Sequence, residues 1–359
     1  GEKRGPIFSQ LIRRLVMPEQ ATPLRAFPQL QATAEYIARL QRPNGALPWF
    51  ADGITDPWDH IEALMGLTIH GNWQGSICAL EWLADQQRPD GAWFAAYNDH
   101  GVVDDSRAET NFVAYVATGL WHFYLVSGQH EVLVRFWPMV ERAIEFVLKQ
   151  QANTGEIYWA VDKNTGPSQD ALVTGCSSIY KSLECAILIA GELRHQRPAW
   201  HLARHNLAAA IRHRPERFDR TWASKARYSM DWCYPVLSGV IQGDAAQQRL
   251  LARWDTFVKA GFGCRCVADQ PWVTVAESCE LVMACQAAGL TEQAHQVFND
   301  VAQHQLTDGS WWTGYVFNEQ IYWPDEQPTW TAAAVLLAAD ALHHLTPASR
   351  LFTSVTDTP

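Results

Sequence analysis

A four-residue spacing from a glutamine to a glycine recurs along this chain and constrains its fold more than any other feature. It occurs at Gln41 and Gly45, Gln87 and Gly91, Gln151 and Gly155, and Gln305 and Gly309. In each copy a Trp follows the Gly within four further positions, at Trp49, Trp93, Trp159 and Trp311. The stretch from Trp82 to Asp105 holds the clearest copy: a helix-compatible run ends at Gln86 and Gln87, a Pro-Asp-Gly turn follows, and a polar loop leads to Asp104 and Asp105. Helix-patterned segments separate the copies, so the repeat reports an array of similar units.

With 359 residues the chain can be one large domain or two ordinary ones. Its 48% hydrophobic residues supply a substantial core and exclude general disorder. A formal net charge of -10 disfavours nucleic acid and anionic membrane as partners. The 17 Trp exceed what a core alone needs, which places some beside a ligand. The eight Cys form neither a dense disulfide framework nor a zinc ribbon, since the spacing of Cys264 and Cys266 is too tight for zinc pairing. They read as buried thiols of a reducing compartment, and the expected location is cytoplasmic, peripheral to a membrane under a lipid reading. No apolar run of transmembrane length and no apolar signal segment is visible, and no metal or cofactor motif or Gly-rich phosphate loop is present.

Apolar periodicity predicts twelve helices, near residues 28–41, 58–70, 74–88, 108–127, 130–150, 171–194, 198–212, 222–238, 244–260, 273–288, 291–305 and 328–345. The even members are apolar and rich in small residues, and the odd members carry more Arg, Gln and Glu. Six hairpins with apolar inner helices predict an all-α fold, an (α/α)6 toroid in a single domain, with an open helical solenoid as the rival. The expected organisation is an N-terminal arm over 1–26, the toroid over 27–346 and a C-terminal tail over 347–359.

The Gln-x-x-x-Gly-x-Trp pattern at Gln87 and Gln305, with looser copies at Gln41 and Gln151, resembles the repeats of the terpene cyclase and protein prenyltransferase superfamily. That resemblance implies an α/α toroid with its ligand cavity at one end of the inner ring, an architecture shared with some carbohydrate-active enzymes. The cyclases of this superfamily protonate their substrate with an Asp-x-Asp-Asp motif. Val102-Val103-Asp104-Asp105 keeps only the adjacent pair, and the zinc ligands of the prenyltransferases have no matching set here.

If the even helices are inner, the loops before them open at one end of the ring. Carboxylates inside apolar helices, such as Glu62, Glu109, Glu184 and Glu277, need a partner or an open cavity. Paired carboxylates there suit glycosidic cleavage, one protonating the leaving oxygen and the other activating water or attacking the sugar. The candidate acids are Asp59, Asp105, Glu109, Glu277 and Asp325. Asp105 is the first choice of proton donor, because Asp104 raises its pKa if both are buried. Candidate substrate contacts are Trp58, His60, Trp93, Arg107, Lys181, Trp222, Arg227, Trp232, Arg265 and Trp330, the basic members suiting an acidic glycan. The favoured function is a glycoside hydrolase or related carbohydrate-active enzyme without cofactor. The alternatives are a terpene cyclase or prenyltransferase-like enzyme acting on a lipid with Asp105 as acid, and a noncatalytic glycan-binding toroid.

Overall fold

The structure is a computed structural model that describes residues 23–356. Twelve helices form two concentric rings. The outer helices are α1 (Pro28–Leu40), α3 (Trp73–Gln86), α5 (His130–Leu148), α7 (Pro198–His213), α9 (Gly243–Ala252) and α11 (Thr291–Val301). The inner helices are α2 (Pro57–Ile69), α4 (Thr110–Ser127), α6 (Val173–Glu192), α8 (Ser229–Leu237), α10 (Val275–Ala287) and α12 (Thr329–His343). Each inner helix packs on the next in chain order, and α12 returns to pack on α2, so the ring is closed. This is the expected (α/α)6 toroid.

Amphipathicity separates the rings. In α5, Val132, Leu133, Phe136 and Trp137 are buried, whereas Glu131, Val134 and Arg135 are exposed. In α4 and α12 nearly every residue is buried, because both sides of an inner helix meet protein. Small residues let these helices approach. A Cβ on Gly66 would lie 2.7 Å from Ile37 and 3.3 Å from the Ala333 side chain, and one on Gly119 would lie 2.7 Å from Ile61. The helix most suited by composition to crossing a membrane is α6, and 83% of its most apolar window is buried inside the ring.

The repeated Gln and Gly bind the outer ring together. The Gln87 side-chain amide donates to Gly91 O of its own turn and to Met139 O of α5, both at 2.9 Å. Gln41 bridges Gly45 O and Gly75 O of α3, and Gln151 bridges Gly155 O and Ala203 O of α7. Gln305 donates to Gln29 O of α1, joining the last outer helix to the first. The four glycines have φ between 92° and 103° and press on the neighbouring outer helix, where an added Cβ would lie 2.1 to 2.3 Å from a backbone oxygen.

Short antiparallel strands, which the helical segmentation does not anticipate, cover one end of the ring. They are β1 (Ala96–Asn98) with β2 (Gly101–Asp104), then β3 (Arg107–Glu109) with β4 (Ala160–Asp162) and β5 (Gly166–Ser168). The third sheet contains β6 (Val258–Lys259), β7 (Gly263–Arg265), β8 (Trp272–Thr274), β9 (Gly314–Val316) and β10 (Ile321–Tyr322), in the order β10-β9-β8-β7-β6. Strands of two to four residues are too short to register as a period-two pattern. The helix expected over 222–238 starts at Ser229, because Asp219 accepts from the Trp222 indole and the Lys225 amide and holds that segment as a loop. The segment over 244–260 ends as a helix at Ala252 and continues through a separate turn into β6.

Most of the arm expected over 1–26 lies outside the described residues. Beyond α12, Ala348, Leu351 and Phe352 are buried, and Lys181 Nζ donates to Leu351 O and Ser354 O at 2.8 and 2.9 Å. The segment after the ring is therefore docked against α6.

The latch at the ring closure predicts a position-specific cost. A Cβ on Gly309 would lie 2.3 Å from Ala32 O, whereas Gly101, at φ 130°, has nothing within 4 Å. Gly309→Ala is expected to destabilise the fold by at least about 2 kcal/mol and Gly101→Ala by less, both read from denaturant unfolding. Equal costs would mean that backbone conformation alone, without docking, accounts for the repeat.

Candidate active site

The site grows from the first turns of the inner helices, whose N-terminal ends share one end of the ring. Asp56 caps α2: its Oδ1 accepts from Asp59 N at 2.9 Å and its Oδ2 from the Trp49 indole at 2.7 Å. Pro57 occupies the first turn, and Asp59 and Glu62 then fall on one helix face, three residues apart. Glu277 and Glu280 repeat this spacing on α10. In the inner ring α12 separates α2 from α10, so the two carboxylate pairs enter from different sides.

Both pairs line an open cavity of about 250 Å³. Trp58, Asn111, Phe112, Met230, Tyr234 and Trp330 complete much of its wall. The Tyr115 hydroxyl donates to Glu62 Oε2 at 2.5 Å, and its ring stacks on Trp58 with centroids 3.6 Å apart and planes at 8°. One tyrosine thereby fixes both an acid and an aromatic wall.

Burial raises the pKa of Asp59, Glu62 and Glu280. Asp59 is pushed well above the carboxylate range by desolvation, then by the charge and hydrogen bond of Asp56 and by Glu62 and Glu280. Desolvation raises Glu62 to about 7 against the opposing Tyr115 hydrogen bond. Glu280 is raised well above its ordinary range by desolvation and the charges of Glu62 and Glu277, and its Oε2 is buried without a hydrogen-bond partner. Glu277 is half-buried, with the Cys266 thiol 3.6 Å from its Oε1.

Of the residues nominated from sequence, Asp59, Glu277, Trp58 and Trp330 meet at this cavity. The others lie apart from its lining. Asp105 is exposed and paired with Lys163 at 2.6 Å, and hydrogen bonds from Ser106 lower the pKa of Asp104. The shared burial on which the choice of Asp105 depends is absent. Glu109 precedes α4 and is bound by Arg107 at 3.1 Å, with burial raising its pKa, while Asp325 is exposed on the loop before α12. Arg107 also meets Asp104 at 3.1 Å.

The basic residues are occupied elsewhere. Lys181 is buried against Glu184 at 2.9 Å and the C-terminal carbonyls, and Arg227 is exposed with Asp269 at 3.3 Å. Arg265 donates to Ala268 O and Gln270 O and lies over Phe317. His60 accepts from Leu47 N at Nδ1 and faces Ala79 O with Nε2, and burial lowers its pKa to about 4. Trp93 and Trp232 are core residues whose indoles donate to Leu83 O and Arg249 O, and Trp222 is tied to Asp219. Sequence reading left Glu280 and Tyr115 unassigned, although a Glu one turn beyond Glu277 on an apolar helix carries the same signal that identified Glu62.

No family model matches the chain. It is 46% identical over 329 residues to the MMP endo-(1,4)-3-O-methyl-alpha-D-mannosidase of Mycolicibacterium hassiacum, covering 91% of this chain and 89% of that enzyme. This chain belongs to that enzyme's family. Its membership makes it a carbohydrate-active enzyme of glycosidase type. In fold it is similar to a D-mannose isomerase, with TM-score 0.66 and 12% identity over 89% of this chain and 97% of the other. It is also similar to a wild-type glycosidase, with TM-score 0.69 and 15% identity over 91% and 100%. The toroid shared with carbohydrate-active enzymes is what stands of the sequence resemblance, and these likenesses give no support to its cyclase and prenyltransferase side.

The raised pKa of Glu62 has a consequence for stability. Between the ordinary carboxyl value of 4.5 and about 7 the folded chain holds a proton that the unfolded chain has lost. Stability from this group is therefore full below about 4.5 and falls as pH rises through 7. Glu62→Gln is expected to raise stability at pH 8 by roughly 2 kcal/mol and to leave it little changed at pH 4, measured by thermal unfolding at both values. An equal shift at both would separate the effect from titration.

Proposed function

We propose that this chain is an endo-acting hydrolase of α-(1,4)-linked 3-O-methylmannose polymers. The similarity that carries the reading is the 46% identity, over nine-tenths of both sequences, to an enzyme named for that activity. The cavity supports a neutral glycan. Among the described residues its lining contains Asp59, Glu62, Glu277 and Glu280 and no Lys or Arg. The acidic glycan that the basic residues suggested from sequence would find no cation in this lining to pair with.

In the proposed mechanism Asp59 is the general acid. Burial and the Asp56 carboxylate keep its proton in place at neutral pH, and the proton passes to the glycosidic oxygen as the bond to the anomeric carbon breaks. Glu277 is the second carboxylate, taking a proton from water or attacking the anomeric carbon from the other side of the cavity. Glu280 is less suited to that role, because desolvation beside two other acids holds it protonated. Trp58 and Trp330 offer apolar faces to the sugar ring, while the Trp330 indole N–H and Glu280 Oε2, both without hydrogen-bond partners among the described residues, offer sites to its hydroxyls. The Tyr115 contact positions Trp58 and Glu62 together.

The test is hydrolysis of a 3-O-methyl-α-(1,4)-mannan, followed by the size distribution of new reducing ends. Internal cleavage supports the reading, whereas absence of hydrolysis or release of terminal monomer alone sinks it. Asp59→Asn and Glu277→Gln are each expected to lower kcat by about 10³-fold or more while the circular dichroism spectrum stays native. Proton NMR of the first anomer released distinguishes attack by Glu277 from attack by water. Retention of more than a tenth of the activity in either variant would remove that residue from the mechanism.

A further inference from the structure

An aromatic ledge on the five-stranded sheet takes no part in the proposed cleavage chemistry. Trp272 begins β8, which runs directly into α10 and its Glu277. The indole of Trp272 rests against Gly314 of β9, where a Cβ would lie 2.3 Å from Nε1. Trp272 Nε1 donates to Trp323 O at 2.8 Å, and Trp323 N donates to Gly314 O at 3.0 Å. Through these two bonds the Trp323 ring is held edgewise to Trp272, with centroids 5.5 Å apart and planes at 63°.

The pair reaches the surface, with Trp272 half-buried and Trp323 exposed. Trp323 is 57% exposed, and Ile321, on the same hairpin, is 46% exposed. A lone exposed apolar residue requires no explanation. Two indoles braced through a glycine that only a missing side chain accommodates are a constructed surface. Its stiffness has a source beneath it, where Trp312 stacks on Tyr322 at 4.9 Å and Tyr322 meets Tyr315 at 4.8 Å.

The ledge is also close to the cavity. Glu277 lies five positions after Trp272, and an extended chain of that length spans at most about 18 Å. Trp330, which lines the cavity, follows Trp323 on the segment that enters α12. An enzyme that cuts within a polymer must hold sugar units on both sides of the bond, outside the space where the acids act. An O-methylated sugar presents more apolar surface than a bare one, and an exposed indole edge and face bury such surface at little conformational cost.

We propose that Trp323, Trp272 and Ile321 form a glycan-binding ledge that holds sugar units of the polymer beyond the cleaved bond, against their ring faces and O-methyl groups. The inference rests on the reading of the chain as an endo-acting glycan hydrolase. Its test compares kcat/KM for short and long 3-O-methyl-α-(1,4)-mannan oligomers. Trp323→Ala is expected to reduce the wild-type preference for long over short oligomers about tenfold. Leu202→Ala, which removes a 61% exposed residue from outer helix α7, serves as the control and should leave that preference intact.

Binding separates the ledge from the activity. Calorimetry with the same methylated oligomers and with unmethylated α-mannan and α-glucan oligomers, on Asp59→Asn and on Asp59→Asn combined with Trp323→Ala, reads affinity without turnover. If the wild type hydrolyses none of these, the functional reading fails, and a tenfold weaker binding of long oligomers by the double variant still supports the ledge. Unchanged length preference in Trp323→Ala, or equal binding by both inactive variants, overturns the proposal, as does absence of length-dependent binding to every probe.

Discussion

The toroid depends on the docking of each Gln-Gly turn onto the next outer helix. A glutamine amide has two N–H donors, and here both find backbone carbonyls: one inside the turn, the other on the neighbouring helix. Each bond contributes on the order of 1 kcal/mol, but leaving a half-buried carbonyl unpaired costs more. The glycine lets the turn approach to a distance no side chain allows. The copy at Gln305 performs the same contact across the seam between the two ends of the fold. It adds an outer-ring contact to the closure that α12 makes inside by packing on α2.

Closure has a chemical result. Every inner helix presents its N-terminal end to the same side of the ring, and first-turn residues from separate parts of the chain become neighbours. The exposed amides of those ends favour negative charge, which offsets part of the repulsion among Asp59, Glu62, Glu277 and Glu280. Desolvation opposes it and is the larger effect for Asp59, Glu62 and Glu280, whose pKa values all rise. The raised values of these three carboxyls are the property that the proposed acid-assisted cleavage draws on. The same crowding destabilises the folded state as pH rises, so the chemistry is supported by the packing of the rings around it.

Some of this is readable in single residues. Gln87, Gly91 and the alternation of apolar and polar helices announce the double ring, because helical period and turn chemistry are local. Glu62 and Glu277 are readable as acids in apolar helices that need a cavity. Asp105 misdirects, because adjacency to Asp104 says nothing about burial, and a short hairpin carries both into solvent. Trp93, Trp232 and His60 look like ligand contacts by residue type, yet each turns its polar atom to a backbone group in the core. Lys181 is readable as a buried base, but its partners include carbonyls 170 and 173 residues away.

The sequence by itself determined the helical repeat and the inner and outer roles, since these follow from periodicity and turn residues, and it marked acids in apolar helices as needing a cavity without choosing among them. Tertiary structure decided which polar residues share a cavity. It placed Glu280 with Glu62, set Tyr115 between Glu62 and Trp58, and matched the Arg and Lys side chains to partners elsewhere. Desolvation and charge coupling act through space, and which groups they join is settled only when the ring closes.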